Sequence, residues 1–388
     1  MPPVPELDTN LEQMEKPPLP EKPYIDGESV VISGMSGMFP MSNNVKTFSE
    51  NLYNKTYMVT DELRFKHNHP ELQQFCGNIP DLSPFDAQFF GVHARLTITM
   101  DPMSRKLMEQ TYQAIYDAGL SIDHVRETKL GVFIGSCFSE TEKACFYSAE
   151  NRTGFGIMGC CKAMFANRIS YWLDAKGPSM SIDCLCASSL VALEHAVEAI
   201  RRGDCDAAIV GSSNVILHPQ SSILFGRNIQ LSADGKAKSF DKNADGTVRS
   251  EGVNVLFVQK AKSAKRIYAE LCHVQCSFKA GNQDMFGPLR SIPLMKNFFT
   301  NFYEEANVSP NEVEYIEAYG TAIPEADKNE LEAISEVFCK DRTEPLLIGS
   351  VISNMGYSEA ATGISSIIKV CLGYHTGKFA ANINCENP

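Results

Sequence analysis

Two cysteines one residue apart, Cys184 and Cys186, lead through Ala187-Ser188-Ser189 into an amphipathic run with Leu190, Ala192, Leu193, Ala196, Val197 and Ile200 that reaches about Arg202. The pattern predicts a thiol at a helix N-terminus, where unpaired backbone N–H groups and the helix dipole favour the thiolate. The same N–H groups suit a thioester oxygen that turns negative during acyl transfer. A buried, inert cysteine also fits these residues, since cysteine is among the most buried residue types. Metal binding by Cys184 and Cys186, or by Cys160-Cys161, lacks support, because no His or Cys cluster of zinc-site spacing accompanies either pair. The segment "GYHTGKF" at Gly373 to Phe379 lacks the glycine spacing, and the Ser or Thr after lysine, of a phosphate-binding loop.

The elements that must position these groups alternate in type. Apolar runs at Ser29 to Ile32 and Val132 to Ile134 alternate with helical patterns at Arg105 to Ala118 and Leu190 to Ile200, which predicts parallel strands joined by crossover helices. A second series begins near Ala269, with strand candidates at Val313 to Ile316 and Leu346 to Ile348 and a helical run from Gly363 to Leu372. The expected organisation is a Pro-rich lead-in over residues 1–27 that cannot build a core, a first half over 28–260 bearing the thiol, and a shorter second half over 261–388.

Composition narrows the function classes. A chain of 388 residues with 44% hydrophobic content can bury a substantial core. Its 35 basic and 47 acidic residues give a net charge of -12, which argues against a nucleic-acid binder or a general binder of anionic membranes. An acidic protein partner would need a local basic patch, for which Arg201, Arg202 and the Lys260 to Arg266 segment are candidates beside their reading as ordinary solvated charge. No apolar run reaches a membrane span and no signal-peptide pattern opens the chain, so the expected location is the cytoplasm. Thirteen cysteines without framework spacing fit reduced thiols, which makes sequons such as Asn54-Lys55-Thr56 chance matches.

Six segments carry a resemblance to a known family: "VVISGMSGMFP" (Val30 to Pro40), "FDAQFFGVHARLTITMDPMSRKLMEQTYQAIYDAG" (Phe85 to Gly119), "GVFIGSCFSE" (Gly131 to Glu140), "ANRISYWLDAKGPS" (Ala166 to Ser179), the Asp183 to Leu190 octet, and "SFDKNADGTVRSEG" (Ser239 to Gly252). In order and spacing they resemble the β-ketoacyl synthase domain of animal-type fatty acid synthase. The resemblance implies an α/β, thiolase-like duplicated fold of layered sheets and helices, with Cys186 as nucleophile and with Cys184 and Leu185 where the family usually has Thr and Ala. It implies a phosphopantetheine thioester of acyl carrier protein, or acyl-CoA, as substrate, no bound cofactor, and a homodimer paired through the first-half sheets.

The second half departs from that pattern. "EYIEAYGTAIPEAD" (Glu314 to Asp327) resembles the family's "EAHGTGT" region with Tyr319 in place of its histidine, and "GSVISNMGYSEAATG" (Gly349 to Gly363) resembles "GSxKSNxGHxEAAAG" with Ile352 at the lysine and Tyr357 at the second histidine. The supporting glutamate is kept as Glu359. His67, His69, His93, His124, His195, His218, His273 and His375 all lie outside these motifs. No equivalent of the family's glycine-rich "GFGG" loop follows "AANINCENP", so the second half is expected to be incomplete. Three functions fit: a condensing synthase whose tyrosines support decarboxylation, an acyl acceptor that loads Cys186 without elongating, and a non-catalytic dimerisation or carrier-binding protein. The tyrosines, poor proton shuttles at neutral pH, and the lost lysine predict impaired condensation.

Overall fold

Strand β1 (Val30–Met38) is buried along its whole length, as is β2 (Leu130–Ser136), which explains why both read as continuous rather than alternating apolar runs. A computed structural model describes residues 26–65, 69–147, 154–277, 289–340 and 342–388. The lead-in expected to be disordered lies, apart from Asp26 and Gly27, outside these residues.

β1 and β2 belong to a six-stranded sheet ordered β3-β2-β4-β5-β1-β6, with β3 at Ser179–Ile182, β4 at Ala207–Asn214, β5 at Gly252–Lys260 and β6 at Ala269–Glu270. Within this sheet the expected parallel arrangement holds for β3-β2-β4; β4-β5, β5-β1 and β1-β6 pair antiparallel. The sheet is mixed because β5 returns along β4 after a long excursion, a pairing that local hydrophobic periodicity does not encode. A bulge between Ile32 and Gly34 leaves Ser33 beside the ladder, where its hydroxyl donates to the Phe257 carbonyl at 3.2 Å and accepts from Gln259 Nε2 at 2.9 Å.

Helices cover both faces. α1 (Pro102–Asp117) and α3 (Ser188–Arg202) match the helical patterns read from the sequence, with α2 (Ala163–Leu173) between them, and α1 starts three residues earlier than its apolar periodicity because Asp101 caps it, accepting from Met103 N at 2.7 Å, with Pro102 in its first turn. α1 and α2 pack on one face around Leu107, Ile134, Phe165 and Ile209; α3 packs on the other around Phe133, Ala192, Ala196 and Val210. The close approach of α3 to β2 depends on Gly135. A Cβ there would lie 2.6 Å from the Ser188 carbonyl carbon and 2.7 Å from Ser189 N, the backbone of the first turn of α3.

The second half comprises α4 (Ile292–Ala306), β7 (Tyr315–Glu317), α5 (Pro324–Phe338), β8 (Leu347–Gly349) and α6 (Thr362–Thr376). Among the described residues β7 and β8 form a two-stranded parallel sheet, with Ile316 opposite Ile348. α6 does not stay with that sheet. Its Ile364, Ile368 and Cys371 join the core beneath α3, which brings the loops of the second half over the thiol-bearing turn.

Candidate active site

After β3 the chain reverses at Cys184-Leu185-Cys186-Ala187, where Ala187 N donates to the Cys184 carbonyl at 3.1 Å. Leu185 takes φ +53°, a strained conformation for a branched side chain, and it is exposed. Ser188 holds the turn by donating its hydroxyl to the Leu185 carbonyl at 2.6 Å and accepting from Cys184 N at 2.9 Å. This strained turn lifts Cys186 to the entrance of α3, two residues before its first helical residue. Cys186 is partly buried against the core beneath α3, so it is neither an inert core thiol nor a fully exposed one. On the strand side, Lys162 pairs with Asp183 and donates to the Cys137 carbonyl at 2.8 Å. Burial, with the Asp183 charge behind it, pushes the Cys184 thiol up.

The second half delivers two phenols to this thiol. Tyr319 follows β7 and donates its hydroxyl to the Tyr357 hydroxyl at 3.0 Å. The two rings meet edge to face with centroids 5.9 Å apart. Both phenols are driven well above their ordinary range, Tyr319 by burial and then by negative charge on Cys186, Tyr357 by burial and then by Tyr319 and Cys186. They are therefore neutral hydrogen-bond donors at physiological pH, with one proton each, and one of those protons is spent between them. Ile352 is fully buried in the same core, so an apolar side chain stands at the third degenerate position.

Each phenol is held by groups that sequence reasoning did not single out. Glu330 of α5 accepts from Tyr319 N at 2.8 Å and Gly320 N at 2.9 Å, and Asp327, one turn earlier, accepts from Phe240 N at 3.0 Å and Ala322 N at 3.1 Å. They clamp a loop in which Gly320 and Ala322 have φ of +52° and +62°. Burial raises both carboxyls, Glu330 to about 7. Tyr357 is held through its backbone, donating to the Val248 carbonyl at 2.7 Å and accepting from Ser250 N at 2.8 Å. Between those two residues, Arg249 pairs with Glu359 at 2.6 Å, both side chains only 6% exposed, and donates to Ser222 Oγ at 2.7 Å. Its guanidinium also lies 4.9 Å above the ring of Phe225, which packs against Tyr357 at 6.0 Å. The signals were present: acids three residues apart at the start of the helix after Tyr319, and an arginine inside "TVRSEG".

Cys186, Tyr319, Tyr357 and Glu359 thus lie close to one another, while Ile352 belongs to the core cluster that Tyr357 joins. The candidate basic patch disperses into intramolecular contacts: Arg202 pairs with Asp204 at 2.9 Å, Lys260 with Glu28 at 2.7 Å, Arg266 with Asp117 at 2.6 Å, and Arg201 donates to the Cys272 carbonyl at 3.1 Å. Among the described residues no group of three or more His, Cys, Asp or Glu could hold a metal ion, and no helix is long and apolar enough to cross a membrane.

Known proteins share this arrangement of elements. The family model for the β-ketoacyl synthase N-terminal domain matches residues 27–264, and that for the C-terminal domain matches residues 268–386. A fatty acid synthase of Anser anser anser is 42% identical over 351 residues, covering 90% of this chain and 99% of that sequence. Erythronolide synthase EryA2 of Saccharopolyspora erythraea is 35% identical over 320 residues, 80% of this chain but 9% of that protein. Among solved structures, the oxazolomycin ketosynthase domain OzmH KS7 of Streptomyces albus JA3453 superposes with TM-score 0.84 at 26% identity, over 93% of this chain and 65% of that one. The ketosynthase from module 6 of the bacillaene synthase of Bacillus subtilis 168 does so with TM-score 0.81 at 29% identity, over 93% of this chain and 63% of that one. The thiolase-like layering read from the sequence is that of these ketosynthases, and the chain belongs to the β-ketoacyl synthase family, as a ketosynthase of the fatty acid and polyketide synthase type.

Proposed function

We propose that Cys186 is an acyl acceptor: its thiolate attacks the carbonyl of an acyl thioester, the bond to the phosphopantetheine sulfur of acyl carrier protein or CoA breaks, and that thiol leaves while the acyl group stays on Cys186. The observation that carries this reading is the strained turn that presents a half-buried Cys186 at the entrance of α3. Decarboxylation of a malonyl thioester asks for more, since the enolate oxygen needs positioned donors and each lost donor costs about 100- to 1,000-fold in rate. Tyr319 and Tyr357 satisfy one another, and Ile352 supplies no charge, so condensation is impaired relative to acyl loading.

Intact mass after incubation with a fatty acyl thioester tests this, beside a Cys186→Ala control and thermal melts of both. A gain of one acyl group that the control lacks is expected, with little carbon dioxide released from malonyl thioester. No gain in a folded protein sinks the reading and favours a non-catalytic dimerisation or carrier-binding role. That second reading draws on edge strand β3, where Met180 is 43% exposed, beside the exposed Tyr171 of α2 and the nearby Ile157 and Met158. Joining two copies through this edge would cover those side chains and make the homodimer. The free state of all thirteen cysteines supports a reducing compartment such as the cytoplasm.

A further inference from the structure

Cys184 and Cys186 stand one residue apart on a turn whose backbone is already closed. Ala187 N donates to the Cys184 carbonyl at 3.1 Å, and Ser188 Oγ accepts from Cys184 N at 2.9 Å while donating to the Leu185 carbonyl at 2.6 Å. Burial alternates along this stretch: Asp183, Leu185 and Ala187 are exposed, and Cys184 and Cys186 are half-buried. Leu185, 62% exposed at φ +53°, turns its side chain to solvent, so the two cysteines that flank it face the protein together. An isolated backbone bridge pairs the same two residues. A turn closed between its first and fourth residues keeps its first and third Cα atoms within the roughly 4.4–6.8 Å that a disulfide spans. Both thiols are free, and acyl transfer uses one sulfur of the pair and leaves the other without a part.

We propose that Cys184 and Cys186 form a reversible dithiol–disulfide site, at which hydrogen peroxide oxidises the pair and takes Cys186 out of acyl transfer. The masking of acyl loading rests on Cys186 being the acyl acceptor; the oxidation itself does not. In the first step the thiolate of one cysteine attacks a peroxide oxygen, the O–O bond breaks and hydroxide leaves, which gives a sulfenic acid. The thiol of the other cysteine then attacks that sulfur, the S–O bond breaks, and water leaves with the thiol proton as the S–S bond forms. Two sulfurs are oxidised, and one peroxide is reduced to hydroxide and water. Ala187 and Ser188 fix the backbone beforehand, so closing the bond costs little further conformational freedom. The ring encloses a single intervening residue, and disulfides held in constrained geometry are the readily reduced ones, which suits a bond that opens again in a reducing compartment.

The test treats the full chain with hydrogen peroxide, blocks the remaining thiols with N-ethylmaleimide and reads the tryptic peptide Gly177 to Arg201 by mass spectrometry. That peptide contains Cys184 and Cys186 and no other cysteine. In wild type it should carry no maleimide and be lighter by two hydrogen atoms, and dithiothreitol before the block should restore two maleimides. Oxidation of Met180 in the same peptide adds an oxygen and is scored apart. Cys184→Ser cannot close the bond, so its Cys186 should stop at a sulfenic acid that dimedone captures, and pass to the sulfinic acid with excess peroxide. Acyl loading of the same samples, read by intact mass, separates the two readings. Oxidised wild type should take no acyl group and regain loading on reduction; a reduced protein that takes none sinks the acyl-acceptor reading and the masking with it, while the peptide mass still decides the disulfide. Maleimide on both cysteines after a peroxide dose that oxidises free glutathione, sulfinic acid at Cys186 with Cys184 still labelled, or a disulfide from either to another cysteine overturns the proposal. Should Cys184→Ser fail to fold, the wild-type peptide alone decides it.

Discussion

Glu359→Gln removes one charge from a buried ion pair beside the site, with almost no change in volume and with the residue's φ of +47° left as it is. Arg249 donates to Glu359 Oε1 through Nε at 3.0 Å and Nη2 at 2.6 Å, and both side chains are 6% exposed. Breaking a buried pair from one side typically costs about 3–5 kcal/mol, because the remaining charge keeps its desolvation penalty without compensation. Two features place the expected value at the lower end. The glutamine oxygen can still accept from Arg249, and the Glu140 carboxylate lies close enough to attract the guanidinium while accepting from Leu217 N at 2.5 Å. The expectation is about 3 kcal/mol, roughly a 150-fold rise in the unfolding equilibrium constant. Urea unfolding at pH 7.5 measures it, with Arg249→Met and the double variant completing a cycle. The double variant should cost less than the sum of the two single variants, since it leaves no stranded charge. A cost under 1 kcal/mol for Glu359→Gln, or strict additivity in the cycle, would refute the view that this pair is a mutually compensated buried unit supporting the Tyr357 strand.

Two further outcomes follow from the same reasoning. Gly135→Ala drives a methyl into the backbone of Ser188 and Ser189 at 2.6–2.7 Å, so it should destabilise the fold by about 2–3 kcal/mol, the range for overpacking against groups that cannot yield. It should also slow labelling of Cys186 by shifting the turn, and wild-type values in both a melt and a labelling assay would contradict the packing of α3 on β2. Asp101 is raised by burial to about 6 although Ser139 and Met103 N hydrogen-bond to it. A carboxyl whose folded pKa exceeds its unfolded value near 4 burdens the native state above about pH 6 and is relieved as pH falls toward 4, a swing of up to about 3 kcal/mol. Asp101→Asn, which keeps an acceptor at the α1 cap, should therefore cost more at pH 5 than at pH 8. Unfolding free energies at the two pH values check this, and a cost that grows with pH would reverse the sign.

Local pattern was enough for much of this protein. The thiol-bearing turn could be read because a cysteine, small hydroxyl residues and a helical apolar stripe are adjacent in the chain, and α1, α3 and α6 lie where the helical periodicity placed them. Tyr319, Ile352 and Tyr357 stood out because each interrupts a contiguous motif. What local pattern could not supply was pairing between distant segments. The antiparallel β4-β5-β1-β6 part of the sheet, the seating of α6 beneath α3 and the Arg249–Glu359 pair, 110 residues apart, exist only once the chain closes on itself. The same holds for charge. Arg266, Lys260 and Arg202 look like a docking patch as letters, and become intramolecular partners of Asp117, Glu28 and Asp204 in space. Residue type alone determined that a thiol faces two phenols where two imidazoles are expected. Only the tertiary structure decided that the phenols bond to each other, and that Glu330 and Arg249 hold them there, because hydrogen bonds and burial depend on distances the linear order does not contain.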